Sequence, residues 1–226
     1  MKKWMLFIGS VMILACNSQP EQPADEPMED TTMVMEDATE TQAAKPTSPA
    51  ARYKWELDSM VQNHSIFVQT FVKKKNDPKL GEVYETDDWP DESLIEAVYQ
   101  LSFRPNGSTQ FFSEKPYGLE NRRVQYTHYF DDANRTIAFE KYVIYDASSC
   151  SSSTVIETEV NYFDDFFNLT SNTYTLTDDE ERPIASADCI TGGVQPRTVY
   201  NSYEKLAKAK GTKVFLKTTE AKTESK

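Results

Sequence analysis

Histidine, cysteine and glycine are all scarce in this chain of 226 residues, which contains 2, 3 and 7 of them respectively. The two histidines, His64 and His128, are far apart in sequence, and there is no cysteine quartet, so no structural zinc site is expected. The sequence also has no Gly-x-Ser-x-Gly elbow and no glycine loop that would hold phosphate. With these signatures missing, we predict a non-catalytic protein with no metal and no cofactor.

Positive charge and long apolar runs are lacking too. Lysine and arginine total 24 against 36 aspartates and glutamates, for a net charge of −12. Nucleic acids and anionic lipids require positive charge facing phosphate, so no nucleic-acid partner is expected. The apolar run Trp4–Leu14 is shorter than the roughly 20 residues that a bilayer core requires, and no later run is longer.

The beginning of the chain has the parts of a secretory signal. Met1-Lys2-Lys3 is basic, Trp4–Leu14 is apolar, and Ile13-Leu14-Ala15-Cys16 places a small residue before a cysteine. This segment resembles the signal peptide and lipobox of bacterial lipoproteins. The resemblance implies that residues 1–15 are removed and that Cys16 carries lipid, which attaches the protein to a membrane. Asn17, in place of an inner-membrane retention aspartate, favours the outer membrane over the inner one.

Composition divides the remainder of the chain into three parts. Residues 16–50 are predicted to be the lipidated cysteine and an acidic, proline-rich disordered tether without aromatic residues. Residues 51–217 are long enough for a single α+β domain. Residues 218–226 are predicted to be a disordered basic tail.

The start of the domain has a helical apolar period. Ser48 is a suitable cap and Pro49 a suitable first residue. Residues at alternating four- and three-residue steps then form one apolar face: Tyr53, Leu57, Met60, His64, Phe67 and Phe71. We predict a long helix of about six turns that ends before Pro78 and packs on a sheet, with a coiled-coil dimer as the alternative. Three consecutive apolar residues at Ile66-Phe67-Val68 weigh against a strand.

From residue 94 the apolar period changes to two. Alternating segments separated by polar turns predict an antiparallel meander of about six strands, and a short C-terminal helix is predicted from Asn201 to Lys210, ended by Gly211. The predicted fold class is therefore α+β.

The domain contains a repeated turn segment and two cysteines. Tyr129–Thr136 and Tyr162–Thr170 repeat an aromatic strand end followed by an acidic turn, which resembles bacterial hairpin repeats; Asn134 and Asn168 take the place of the usual turn glycine. Cys150 and Cys189 remain once Cys16 is lipidated. An even cysteine count in an exported domain predicts that these two form a disulfide.

Tyrosines on neighbouring strands are the best functional signal. The predicted binding residues are Tyr126, Tyr129, Tyr142, Tyr145, Tyr162 and Tyr174. A tyrosine ring offers apolar area and its hydroxyl a hydrogen bond, which suits a protein or a glycan ligand, whereas cross-strand packing is the structural alternative. We predict an accessory subunit of an envelope assembly, with a cell-surface glycan-binding module as the alternative. A hydrolase using carboxylates of the acidic turns is a third candidate.

Overall fold

Eight antiparallel strands form one sheet in the order β2-β1-β3-β4-β5-β6-β7-β8. The computed structural model describes residues 46, 48–84, 88–146, 154–185, 197–211 and 215. The strands are β1 Gln69–Lys74, β2 Leu80–Val83, β3 Ile95–Phe103, β4 Thr109–Pro116, β5 Arg122–Phe130, β6 Thr136–Tyr145, β7 Val155–Phe163 and β8 Leu169–Asp178. Helix α1 spans Pro49–Gln62, helix α2 spans Tyr203–Lys210, and a single 3-10 turn spans Glu92–Leu94.

The predicted fold class is wrong, because the long N-terminal helix does not exist. Helix α1 has 14 residues, and the second half of the predicted helix is instead a turn, a short irregular segment and β1. The sheet accordingly has eight strands instead of about six. The six segments of alternating apolar residues after residue 94 lie in β3–β8, so the error concerns the helix and the two strands that replace part of it.

Helix α1 ends in a turn that lacks the usual glycine. Asn63 is the C-cap, and His64 adopts a left-handed conformation with φ of 53°. The Ser65 amide donates to the Met60 carbonyl at 2.9 Å, and the His64 amide donates to the Val61 carbonyl at 3.1 Å. These two bonds are those of a Schellman motif. His64 is therefore exposed at the end of the helix, not on the apolar helical face predicted for it.

Strand β1 is apolar on both sides because both faces of the sheet are covered. Phe71 packs with Tyr99 and the ring of Phe215 on one face, whereas Val72 packs with Val98 on the other. A strand buried on both faces has consecutive apolar residues, which a helical period also produces over a short stretch.

The two helices cover opposite faces of the sheet, which we call the α1 face and the α2 face. On the α1 face Leu57 packs against Phe111, Tyr129, Ala138 and Val160. On the α2 face the side chains of Tyr203, Leu206 and Ala207 bury the aromatic residues of β1 and β3–β5. Burying a leucine such as Leu57 contributes on the order of 2 kcal/mol to the free energy of folding. A few such side chains are enough to hold each short helix on the sheet.

Three hairpin turns share one hydrogen-bonding scheme. In each, an aspartate (Asp131, Asp164 or Asp178) accepts the amides two and four residues later through Oδ1, and a side chain four residues later through Oδ2. The fourth residue of each turn has positive φ: Asn134 at 59°, Phe167 at 64° and Glu181 at 62°. The sequence predicted Asn134 and Asn168 in place of the turn glycine. Asn134 does take the left-handed position, but in the second turn Phe167 takes it instead of Asn168.

We expect Glu181→Gly to raise the free energy of unfolding by about 0.5–1 kcal/mol, because glycine adopts positive φ without a Cβ clash. Glu181 is exposed, so little packing is lost. Urea denaturation measures the change. Asp179→Gly in the same turn is the control, where φ is not positive and glycine should be destabilising. Equal effects of the two substitutions would contradict the prediction.

Candidate functional site: a polar groove on the α1 face

A groove of about 700 Å³ lies between the C-terminal half of α1, residues 64–68 and the strands β3–β7. Its floor is formed by uncharged polar side chains from five strands: Gln100, Ser113, Gln125, Thr127, Tyr142 and Thr158. Its apolar walls come from Val61, Ile66, Phe67, Val68 and Phe111. The groove exists because α1 stops at Gln62 and leaves this part of the sheet without a helix above it.

Cross-strand register brings the floor residues into two neighbouring rows. Gln100, Ser113, Thr127 and Glu140 are successive partners across β3–β6. Gln125, Tyr142 and Thr158 are successive partners across β5–β7. Side chains of directly paired residues lie about 4.5–5.5 Å apart at Cβ, so the two rows form a continuous polar surface.

Hydrogen bonds link the floor residues to one another. The Gln125 amide donates from Nε2 to Thr127 Oγ1 at 3.1 Å, and Thr127 Oγ1 donates to Ser113 Oγ at 3.3 Å. Ser113 and Thr127 are buried, whereas Gln125 is half-buried. Groups ordered in this way need little rearrangement to exchange hydrogen bonds with a polar ligand.

An ionic network closes one end of the groove. Lys54 Nζ lies 2.7 Å from Asp58 Oδ2 and 2.5 Å from Glu140 Oε2, and the Tyr129 hydroxyl donates to Asp58 Oδ1 at 2.8 Å. Burial lowers the pKa of Lys54, but the two carboxylates outweigh that effect and the pKa is raised. Burial and the same carboxylates raise the pKa of Tyr129 well above 10. Both groups therefore keep their protons at neutral pH, and the network holds α1 on β5 and β6.

Asp58 and Glu140 are the only carboxylates among the described residues that line the groove. A glycosidase uses two carboxylates on opposite sides of the bond that it cleaves. Here one ammonium group bridges the two carboxylates, which offsets one of their two negative charges and engages both in the contact between α1 and β6.

The carboxylates of the acidic turns serve the turns themselves. Asp131, Asp164 and Asp178 accept the backbone amides that shape each hairpin. The hydrogen bond from the Asn168 side chain lowers the pKa of Asp164, opposite to the raised pKa that a general acid requires. None of the three lies in the lining described for the groove.

The six predicted tyrosines are divided between the two faces. Tyr129, Tyr142 and Tyr162 are on the α1 face, and the first two line the groove. Tyr126, Tyr145 and Tyr174 are on the α2 face. Tyr126, Tyr129 and Tyr145 are buried, whereas Tyr174 is 46 % exposed. The predicted binding role stays a prediction, and Tyr142 is the half-buried member of the set that lines the groove.

Most of the floor was missed by sequence analysis. Of the six floor residues, only Tyr142 is among the predicted binding residues. Alternation within each strand predicts which residues share a face. It contains no signal for where α1 ends, and that end decides which polar residues remain uncovered.

The cysteine predictions lie outside the described residues. This applies to the lipidation of Cys16 and to the disulfide between Cys150 and Cys189. Within the described ranges, no three His, Cys, Asp or Glu side chains come together as a metal site. Neither of the helices in that part of the chain is long and apolar enough to span a bilayer.

No protein-family model matches the chain, and neither the curated proteins nor the solved structures include one that is detectably similar to it.

Proposed function

We propose that this chain is a lipid-anchored protein of the bacterial cell envelope whose folded domain binds an uncharged glycan in the polar groove. The anchor is inferred from the lipobox that ends at Cys16, and the outer membrane is favoured by Asn17. The observation that carries the binding proposal is the floor of amide and hydroxyl side chains in a groove of about 700 Å³.

The chemistry of the groove favours sugar over other polar ligands. Amide and hydroxyl groups both donate and accept hydrogen bonds, as sugar hydroxyls do. Phe67 is 72 % exposed at the groove wall, and the half-buried ring of Tyr142 lies on the floor, so each offers apolar area to the C–H faces of a sugar. The net charge of −12 disfavours anionic polymers, which makes an uncharged glycan the better ligand.

The alternatives predicted from the sequence have less support in this geometry. An accessory subunit of an envelope assembly requires an interaction surface, and a concave polar groove is a better site for a small ligand than for a flat protein partner. A hydrolase built from turn carboxylates could not use Asp131, Asp164 or Asp178 without breaking the hydrogen bonds of the turns, and Asp132 and Asp165 are paired with Arg104 and Arg135.

Gln125→Ala and Thr158→Ala are each expected to weaken glycan binding about 5- to 10-fold, the loss of roughly one hydrogen bond. Full-length protein in mild detergent is titrated calorimetrically with a panel of uncharged oligosaccharides. Thr177→Ala is the matched control. Thr177 is on the α1 face of the sheet, as Thr158 is, but it does not belong to the lining described for the groove. The proposal fails if no uncharged glycan binds, or if Thr177→Ala weakens binding as much as Thr158→Ala does.

A further inference from the structure

Strand β8 is an edge strand without the features that normally protect an edge. It lies at the end of the sheet, and its residues from Leu169 to Thr175 are all exposed. The nine residues Leu169–Thr177 contain no charged residue and no proline, in a chain of which 27% is charged. Charged side chains and proline are the usual means of preventing edge-to-edge pairing. The opposite edge, β2, has four residues and includes Gly81 and Glu82.

The backbone of β8 shows which groups point away from the sheet. The Leu176 carbonyl accepts the Ile184 amide at 2.8 Å on the outer side of β8. Backbone groups of alternate residues in a regular strand point to the same side, so those of Asn172 and Tyr174 also point outward. The register shift at Thr170 interrupts this alternation. Thr177 also pairs with Pro183, so the C-terminal end of this edge is already covered. Among the described residues, the stretch of this edge without a paired strand is therefore centred on Asn172.

An antiparallel pairing of two copies of this stretch is self-complementary. With Asn172 opposite Asn172 of the second copy, the two Asn172 residues exchange a pair of backbone hydrogen bonds, and Tyr174 faces Thr170 on each side. The flanking partners are Ser171 with Thr173, so no charged side chain opposes another. Within one copy, the Asn172 side chain donates to Asn161 Oδ1 of β7 at 2.8 Å. In the paired arrangement the asparagines of β7 and β8 from both copies therefore form one row across the joined sheets.

We propose that the protein forms a two-fold symmetric dimer through β8, with the two sheets joined into one continuous sheet. A second copy is the preferred occupant because the strand complements itself and carries no charge, whereas the rest of the chain is strongly acidic and repels itself. The short β2 edge offers no second strand of similar length, so assembly stops at two copies. This inference is independent of the glycan proposal, because the floor of the groove is contributed by β3–β7.

Charge substitutions at the centre of the pairing test the dimer. Asn172→Lys and Asn172→Glu each place like charges opposite one another across the two-fold axis, and each is expected to raise the dissociation constant about tenfold or more. An equimolar mixture of the two variants places opposite charges there and is expected to restore dimers. Sedimentation of the full-length protein in density-matched detergent measures the three cases. Ala133→Lys, in an exposed turn, is the control for added charge alone.

A measurement on the unmodified protein guards against a folding defect in the variants. Amide hydrogen exchange of the full-length protein is compared at high and low concentration. The outward-pointing amides of Asn172 and Tyr174 are expected to be more protected at high than at low concentration, whereas the inward-pointing amides of β8, which pair with β7, and the amides of Leu80–Val83 are unchanged. The proposal is overturned if the unmodified protein is monomeric at about 100 μM, or if protection of β8 is independent of concentration. A dimer that resists Asn172→Lys, or a mixture of folded variants that stays monomeric, would also overturn it.

Discussion

Replacing Arg104 by methionine is expected to lower the free energy of unfolding by about 3–5 kcal/mol, the largest effect that we predict for a single residue. The guanidinium group of Arg104 joins three parts of the fold. Its Nη1 donates to the Thr109 carbonyl at 2.7 Å and to the Asp131 carbonyl at 3.1 Å. Its Nη2 donates to the Phe130 carbonyl at 2.7 Å and to the Tyr53 hydroxyl at 2.5 Å.

The loss is large because methionine cannot replace these bonds. The Arg104 side chain is 12% exposed, and its Nε lies 2.8 Å from Asp132 Oδ1. Without the guanidinium group, carbonyls at the ends of β4 and β5 lose their donor, and α1 loses its contact with the turn between β3 and β4. Buried acceptors without a partner cost about 1–3 kcal/mol each when water cannot reach them.

Urea denaturation monitored by circular dichroism measures the Arg104 effect. Arg123→Met is the matched control, because Arg123 also forms an ion pair, at 2.7 Å with Asp146, but its side chain is 64% exposed. An exposed pair contributes about 1 kcal/mol or less, so the control should be close to the unmodified protein. Similar losses for the two variants would show that Arg104 acts only as one more surface charge.

Acid is expected to destabilise the folded protein through His128, a buried residue of β5. Its ring stacks against Phe130 at 6.1 Å between centroids and meets the edge of Phe139 at 4.7 Å. Burial, together with the nearby cations Lys210 and Arg197, lowers the pKa of His128 to about 3. The Tyr200 amide donates to Nε2 at 3.2 Å, which requires that nitrogen to be unprotonated.

The sign of the effect follows from which state binds the proton. In the unfolded chain a histidine has a pKa near 6.5, so between pH 6.5 and about 3 the unfolded state binds a proton that the folded state does not. Stability therefore falls as the pH falls through this window. At pH 4.5 the contribution of His128 is a loss on the order of 2–3 kcal/mol relative to pH 7.

The variant His128→Gln isolates this contribution. Glutamine has a carbonyl acceptor for the Tyr200 amide but does not titrate, so the loss between pH 7 and pH 4.5 should be smaller by about 2–3 kcal/mol. The free energy of unfolding is measured by urea denaturation at both pH values. His64→Gln is the control, because His64 is exposed at the end of α1. Equal acid sensitivity of His128→Gln and the unmodified protein would contradict the assignment.

Features that depend on residues close together in the chain could be predicted from the sequence, whereas features that depend on residues far apart could not. The strands β3–β8 were recognisable because alternation of apolar residues is set by each strand itself. The acidic turns were recognisable for the same reason, since Asp131 and Asp164 shape their own hairpins. Helix α1 was predicted too long because Phe67 and Phe71 continue its period, although Phe67 is exposed and Phe71 belongs to a strand.

The candidate site was less predictable than the fold. Gln100, Gln125 and Thr158 are unremarkable polar residues within their own strands, and they become neighbours only through pairing across five strands. Arg104 directly follows β3 in the chain, yet its hydrogen-bond partners Tyr53 and Phe130 are distant in sequence.

The sequence alone determined the positions of six strands, the helix α2 and the hairpin turns, because these depend on residue preferences within a few positions of one another. The resemblance of Ile13–Cys16 to a lipobox is likewise a property of neighbouring residues. Only the tertiary structure decided where α1 ends, which face each tyrosine occupies and which polar residues line a groove. These features depend on strand register and on a Schellman turn without glycine, and both are settled by packing between residues far apart in the chain.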